Sequence, residues 1–174
     1  MRARRRFIAS AIGAALLAHV PRAGAQSRID GATPIPPLGA HIDIPDIVQL
    51  DATPVRGAHW RGKVLVVELW ASWCPFCAKQ NPLIDRLHRE HAAQGLEVLA
   101  LSIDRKPDDA VKYVREHGYA FRAAMFDDRW KAAIGKPRQI PAIWVIGRDA
   151  RLAYFEASEM FAEDVAGLAR FLRG

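Results

Sequence analysis

Cysteine is scarce in this sequence, with two among 174 residues. That excludes a disulfide-rich scaffold and any four-cysteine zinc site. Acid is missing from residues 1–25, where Arg2, Arg4, Arg5, Arg6 and Arg22 stand without an Asp or Glu. Most of the formal charge of +6 comes from that stretch, because the remainder sets 20 basic residues against 19 acidic ones. A near-neutral body lacks the electrostatic footprint of a phosphate binder, so no nucleic-acid partner is expected. The apolar run at residues 7–20 is too short to span a bilayer comfortably. There is no internal repeat and no low-complexity tract. What remains is a chain of one domain's length whose 51% apolar residues suffice for a sizeable core.

Residues 1–25 read as a signal peptide. A basic head precedes the Ala-rich apolar run, and Ala23-Gly24-Ala25 fits the small-residue cleavage rule, leaving Gln26 as the mature start. Arg4-Arg5-Arg6-Phe7-Ile8 resembles the twin-arginine export pattern, although Ala3 and Ala9 depart from its usual flanks. General secretion is the other route. Either delivers a soluble chain to the periplasm, an oxidising compartment where two cysteines acquire weight.

Residues 26–45 form an extended lead-in, kept out of helices by Pro34, Pro36, Pro37 and Pro45 and expected to lie along the surface. Residues 47–50 and 53–55 suggest a short hairpin around Asp51-Ala52. The nearly continuous apolar run at 63–70 predicts a strand covered on both faces. Residues 74–93 have helical composition, with Pro82 inside as a kink and Gly95 closing the segment. A second buried strand follows at 96–103. The next helix runs over 107–117, with Pro107 in its first turn and Gly118 at its end. A strand is expected at 121–126, a short helix at 128–134, a hairpin from 142–146 and 152–155, and a last amphipathic helix at 161–172. Trp130 and Trp144 are placed in the core. Alternating strands and helices argue an α/β fold.

The chemistry gathers at Trp73-Cys74-Pro75-Phe76-Cys77, a C-x-x-C motif where the apolar strand meets the kinked helix. At a helix N-terminus, free N–H groups and the macrodipole favour a thiolate, the nucleophile of disulfide exchange. Cys74 is expected to be the exposed sulfur and Cys77 the screened one. A structural disulfide is the blander reading, but so local a bridge removes little chain entropy. A metal site needs two further ligands, and there is no second cysteine pair. Redox chemistry is therefore preferred. Glu68 interrupts the apolar strand six residues before Cys74, on the face of Val66 and Trp70. Buried there, its pKa should rise, and it is a candidate proton acceptor for Cys77; a solvated strand-end carboxylate is the alternative. Ile140-Pro141 precedes a strand, where a trans proline is the ordinary case and a cis one is rare without further context. His88 and His91 share a helix face, an arrangement more often solvated than metal-binding.

Together these residues resemble the thioredoxin superfamily, and within it the exported TlpA/ResA-like thiol-disulfide oxidoreductases. Residues 63–77 carry the strand-to-active-site signature, Pro82 the helix-kinking proline, residues 96–104 the following strand, and Gln139-Ile140-Pro141-Ala142 the cis-proline loop. The resemblance implies a thioredoxin-like domain over 46–174, with a central mixed sheet flanked by helices. Residues from about 106 to 129 resemble the family's extra strand and helix. It further implies Cys74 as nucleophile, Cys77 as resolving thiol, and Trp73, Pro75, Phe76, Ile140 and Pro141 as the substrate-binding surround. The Ile140 backbone would take a substrate chain as an added strand.

The departures are Glu68, where relatives carry Asp or Asn, and Gln80, where some cytochrome-maturation members carry Glu. Ala142 stands in place of Thr, and Pro75-Phe76 is an unfamiliar dipeptide. The expected activity is reduction of disulfides in exported proteins, with electrons from a membrane-embedded thiol donor. The chain is expected to act as a monomer, with no cofactor beyond the Cys74–Cys77 pair and no metal. A disulfide-donating oxidase and a metallochaperone using the same thiolates are the competing functions.

Overall fold

The structure is a computed structural model that describes residues 27–28 and 31–173. The expected signal peptide at 1–25 lies outside the described residues. In chain order the elements are β1 (Ser27–Arg28), β2 (Ile47–Val48), β3 (Pro54–Val55), β4 (Val64–Trp70), α1 (Pro75–His91), β5 (Leu96–Ser102), α2 (Pro107–His117), β6 (Arg122–Met125), α3 (Asp128–Ile134), β7 (Gln139–Ile140), β8 (Ala142–Ile146), β9 (Leu152–Glu156) and α4 (Ala162–Gly167). Five strands form one mixed sheet in the order β6-β5-β4-β8-β9. β4 is central, parallel to β5 and antiparallel to β8.

All seven residues of β4 are buried. Helices cover the sheet on both sides, and that is why apolar residues occupy both strand faces. On the even-numbered face, α1 packs with α4, and Tyr113 of α2 lies 5.1 Å from the Trp70 ring. On the other face, Trp144 donates from Nε1 to the Ile134 carbonyl at the end of α3, at 3.0 Å. Trp130 and Trp144 are fully buried, as expected.

Local sequence explains the helix bounds. Pro107 opens α2 and Gly118 closes it at φ +63°, its N–H returning to the Val114 carbonyl. Asp127 caps α3 by accepting from the Trp130 N–H at 3.0 Å. Pro82 sits within α1, and a short 3-10 turn (Ala92–Gln94) carries the chain to Gly95. The last helix differs from expectation. Only Ala162–Gly167 is α-helical, and Leu168–Arg173 tightens into a 3-10 helix. Helices commonly end this way, and here Leu168 is still held in the core. Among the described residues, no helix is long and apolar enough to cross a membrane.

The lead-in is stitched to the body rather than lying loosely on it. The Thr33 N–H donates to the Lys136 carbonyl at 2.8 Å, and the Gly39 N–H to the Leu152 carbonyl at 2.7 Å. Further out, β1 pairs antiparallel with β7, Ser27 opposite Ile140 and Arg28 opposite Gln139.

Candidate active site

β4 ends at Trp70, and the chain turns through Ala71, Ser72 and Trp73 into α1. Asp104, just past the end of β5, holds that turn. Its carboxylate accepts from the Ser72 N–H at 3.0 Å, the Ser72 hydroxyl at 2.8 Å and the Ser102 hydroxyl at 2.7 Å. Cys74 is the N-cap of α1 in an extended conformation, and its sulfur accepts the Cys77 N–H at 3.1 Å. Pro75 occupies the first helical position, where its missing N–H leaves no bond unmade. Cys74 and Cys77 are joined as a disulfide, with Cα atoms 5.3 Å apart.

The expected exposure of Cys74 is not found. Cys74 is 1% exposed and Cys77 fully buried. The cause is tertiary: the Ile140 loop comes against the turn, with the Ile140 carbonyl oxygen 4.0 Å from the Cys74 sulfur. The Ile140–Pro141 bond is cis, and both residues are buried. Around the cysteines, Trp73 is 53% exposed, Pro75 is exposed and Phe76 half-buried. The backbone edge at Ile140 is present, but Ser27 of the same chain lies opposite it.

Glu68 is fully buried on the central strand, facing α1. Gln80 donates to its Oε1 at 3.0 Å, while the Gln80 carbonyl oxygen accepts from the Met160 N–H at 2.8 Å. With the Asn81 amide turned to suit its neighbours, its nitrogen donates to the Cys77 carbonyl at 2.9 Å and to Glu68 Oε1 at 3.3 Å. Asn81 thus links the carboxyl to the second cysteine. Loss of water pushes the Glu68 carboxyl up to about 8, against the opposing pull of the Gln80 hydrogen bond. A carboxyl that titrates there can give or take a proton near neutral pH.

Asp104, Ser72, Asn81 and the bridging role of Gln80 are not evident as site features in the sequence. Asp104, Asn81 and Gln80 are polar residues that only the packing buries, and Ser72 is marked only by its bonds to Asp104. Among the described residues, no group of three or more His, Cys, Asp or Glu side chains is placed to hold a metal ion.

Residues 39–171 match the Redoxin family. Thiol-disulfide oxidoreductase ResA of Bacillus thuringiensis (strain Al Hakam) is 26% identical over 124 residues, covering 70% of each chain. A thiol:disulfide interchange protein of the thioredoxin family from Chlorobium tepidum superposes with a TM-score of 0.71 at 19% identity, covering 82% of this chain and all of that one. A secreted Mycobacterium tuberculosis disulfide oxidoreductase, described as homologous to E. coli DsbE, gives a TM-score of 0.60 at 19% identity over 74% of this chain and 93% of its own. The sheet and flanking helices are those of a thioredoxin fold, and a cysteine pair caps the helix after its central strand. On these grounds the chain belongs to the Redoxin family, as a ResA-like thiol-disulfide oxidoreductase of the thioredoxin superfamily.

Proposed function

We propose that this protein is an exported reductase of disulfides in partner proteins. The observation that carries the reading is the Cys74–Cys77 pair at the start of α1, backed by a buried carboxyl at Glu68. In the reduced protein, the Cys74 thiolate attacks one sulfur of a partner's disulfide. That S–S bond breaks, a mixed disulfide forms on Cys74, and the partner's other sulfur leaves as a thiolate that takes up a proton. Cys77 gives its proton to the Glu68 carboxylate and attacks the Cys74 sulfur. The mixed disulfide breaks, the partner's second thiol is released, and the Cys74–Cys77 disulfide remains. Two electrons have passed to the partner, and a membrane-embedded dithiol donor restores the pair.

Trp73, Pro75, Phe76 and Pro141 form the contact surround, and the Ile140 backbone receives the partner's chain as an added strand. No further cofactor takes part. The basic head and the Ala23-Gly24-Ala25 site support export, with twin-arginine translocation the favoured route. The test is trapping with Cys77→Ala in cells, followed by identification of the captured proteins. Exported cysteine-containing proteins joined to Cys74 are expected, and their disulfides should accumulate when the gene is deleted. Partners that lose their disulfides on deletion would make the protein an oxidase instead.

A further inference from the structure

Strand addition at Ile140 requires a free backbone edge, and in this structure the edge is filled from within the chain. β1 lies antiparallel on β7, with Ser27 opposite Ile140 and Arg28 opposite Gln139. The pairing continues a contact made nearby, where Thr33 and Lys136 form an antiparallel bridge, with N–H to carbonyl distances of 2.8 and 3.4 Å. Both pairings are antiparallel, and their registers differ by two residues.

The body is shaped for that approach. Gly135 has φ +74°, and a Cβ there would collide with the Pro34 carbonyl oxygen. A side chain at position 135 would push the lead-in away. Beside the occupied edge, Cys74 is 1% exposed, with the Ile140 carbonyl oxygen 4.0 Å from its sulfur.

We infer that Ser27–Arg28 is a built-in occupant of the substrate edge, which a partner's extended segment must displace in order to dock antiparallel on Gln139–Ile140. This rests on the strand-addition reading of the same site. It also names the class of partner: proteins that present their disulfide in an extended, backbone-accessible segment. The occupied fraction of the edge weakens apparent affinity in proportion, because only the open form binds. Two paired residues hold weakly on their own, but their attachment to the same chain gives them a high effective concentration.

The test uses the full chain and the variant Ser27→Pro/Arg28→Pro, which removes both strand N–H groups. These residues precede the core, so equal thermal midpoints are the control. The probe is a fluorescent linear peptide rich in Val and Thr, carrying one cysteine as a methyl disulfide. Binding is read by anisotropy with the protein oxidised, so that no exchange occurs, and turnover is read with the protein reduced. The variant should bind the peptide about 3- to 10-fold more tightly, and its KM should fall by a similar factor at unchanged kcat. Equal or weaker binding by the variant overturns the inference, whatever the turnover. Tighter binding without turnover in either chain keeps the occupied edge and sinks the reductase reading. Turnover with no difference in binding or KM does the reverse.

Discussion

Two carboxyls flank the turn that presents Cys74, and they are built in opposite ways. Asp104 is surrounded by donors: one backbone N–H and two hydroxyls reach its oxygens within 3.0 Å. Glu68 has the Gln80 amide at 3.0 Å, the Asn81 amide at 3.3 Å, and otherwise an apolar strand for company. Donors that occupy both oxygens of Asp104 make it a clamp on the turn. Burial with few donors leaves the proton loosely decided, which is useful for chemistry and costly for stability. One side of the turn is thus built to hold, and the other to titrate.

The contrast is broken most severely at Glu68. Glu68→Gln keeps the shape and the bond from Gln80 but removes the titration. Turnover of a disulfide substrate above pH 8 should drop by about 100-fold, the lower end of what a lost acid–base group costs. Stability should move the other way. Below its ordinary value of 4.5, Glu68 is protonated in both folded and unfolded chains. Between 4.5 and about 8 only the unfolded chain has lost the proton, so unfolding releases it and stability falls as pH rises. The slope is about 1.4 kcal/mol per pH unit, or roughly 4–5 kcal/mol in all, and the loss is constant above the folded value. Urea unfolding across that range should show the parent losing stability relative to the variant as pH rises; the difference is the readout because burial lowers the pKa of His88, which makes stability rise with pH in both chains. A parent-to-variant difference that does not change with pH would make Glu68 an ordinary carboxylate and end its assignment as proton acceptor.

The clamp should fail differently. Asp104→Ala leaves the Ser72 N–H and the Ser72 and Ser102 hydroxyls without their acceptor. A destabilisation of about 2–4 kcal/mol is expected, with the change of activity with pH above neutrality left where the parent has it. If the variant instead shifts that profile and leaves unfolding untouched, Asp104 belongs to the chemistry and the division between the two sides is wrong.

Much of this arrangement was legible in the sequence where the cause is local. α2 is bounded by Pro107 and Gly118, and β4 is an apolar run interrupted by one acid. Glu68 stood out because a charged residue contradicts its neighbours. Asp104 does not stand out, and Gln80 does so only as a departure from relatives with Glu, since a polar residue after a strand or in a helix's first turns is ordinary until packing buries it. The pairing of β1 with β7 joins two residues to two others more than a hundred positions away. No periodicity announces so short a pair. Cys74's burial was misjudged for the same reason, because the Ile140 loop that reaches it comes from far along the chain.

Gln80 gives the finest probe of the contrast, because it serves both purposes at once. Its amide nitrogen holds Glu68 Oε1, and its carbonyl oxygen holds the buried Met160 N–H at the approach to α4. Gln80→Met keeps similar bulk and removes both bonds. Orphaning the Met160 N–H should cost about 1–2 kcal/mol at every pH. The effect on Glu68 is separate and has a definite sign. The Gln80 bond favours the carboxylate, so losing it pushes the carboxyl above its value of about 8. The pH at which exchange accelerates should move alkaline by less than about one unit, and the decline in stability should extend over the same added interval. A stability loss with an unmoved pH profile would confine Gln80 to bracing α1 against α4. A moved profile makes it the residue that sets when Glu68 can take the Cys77 proton.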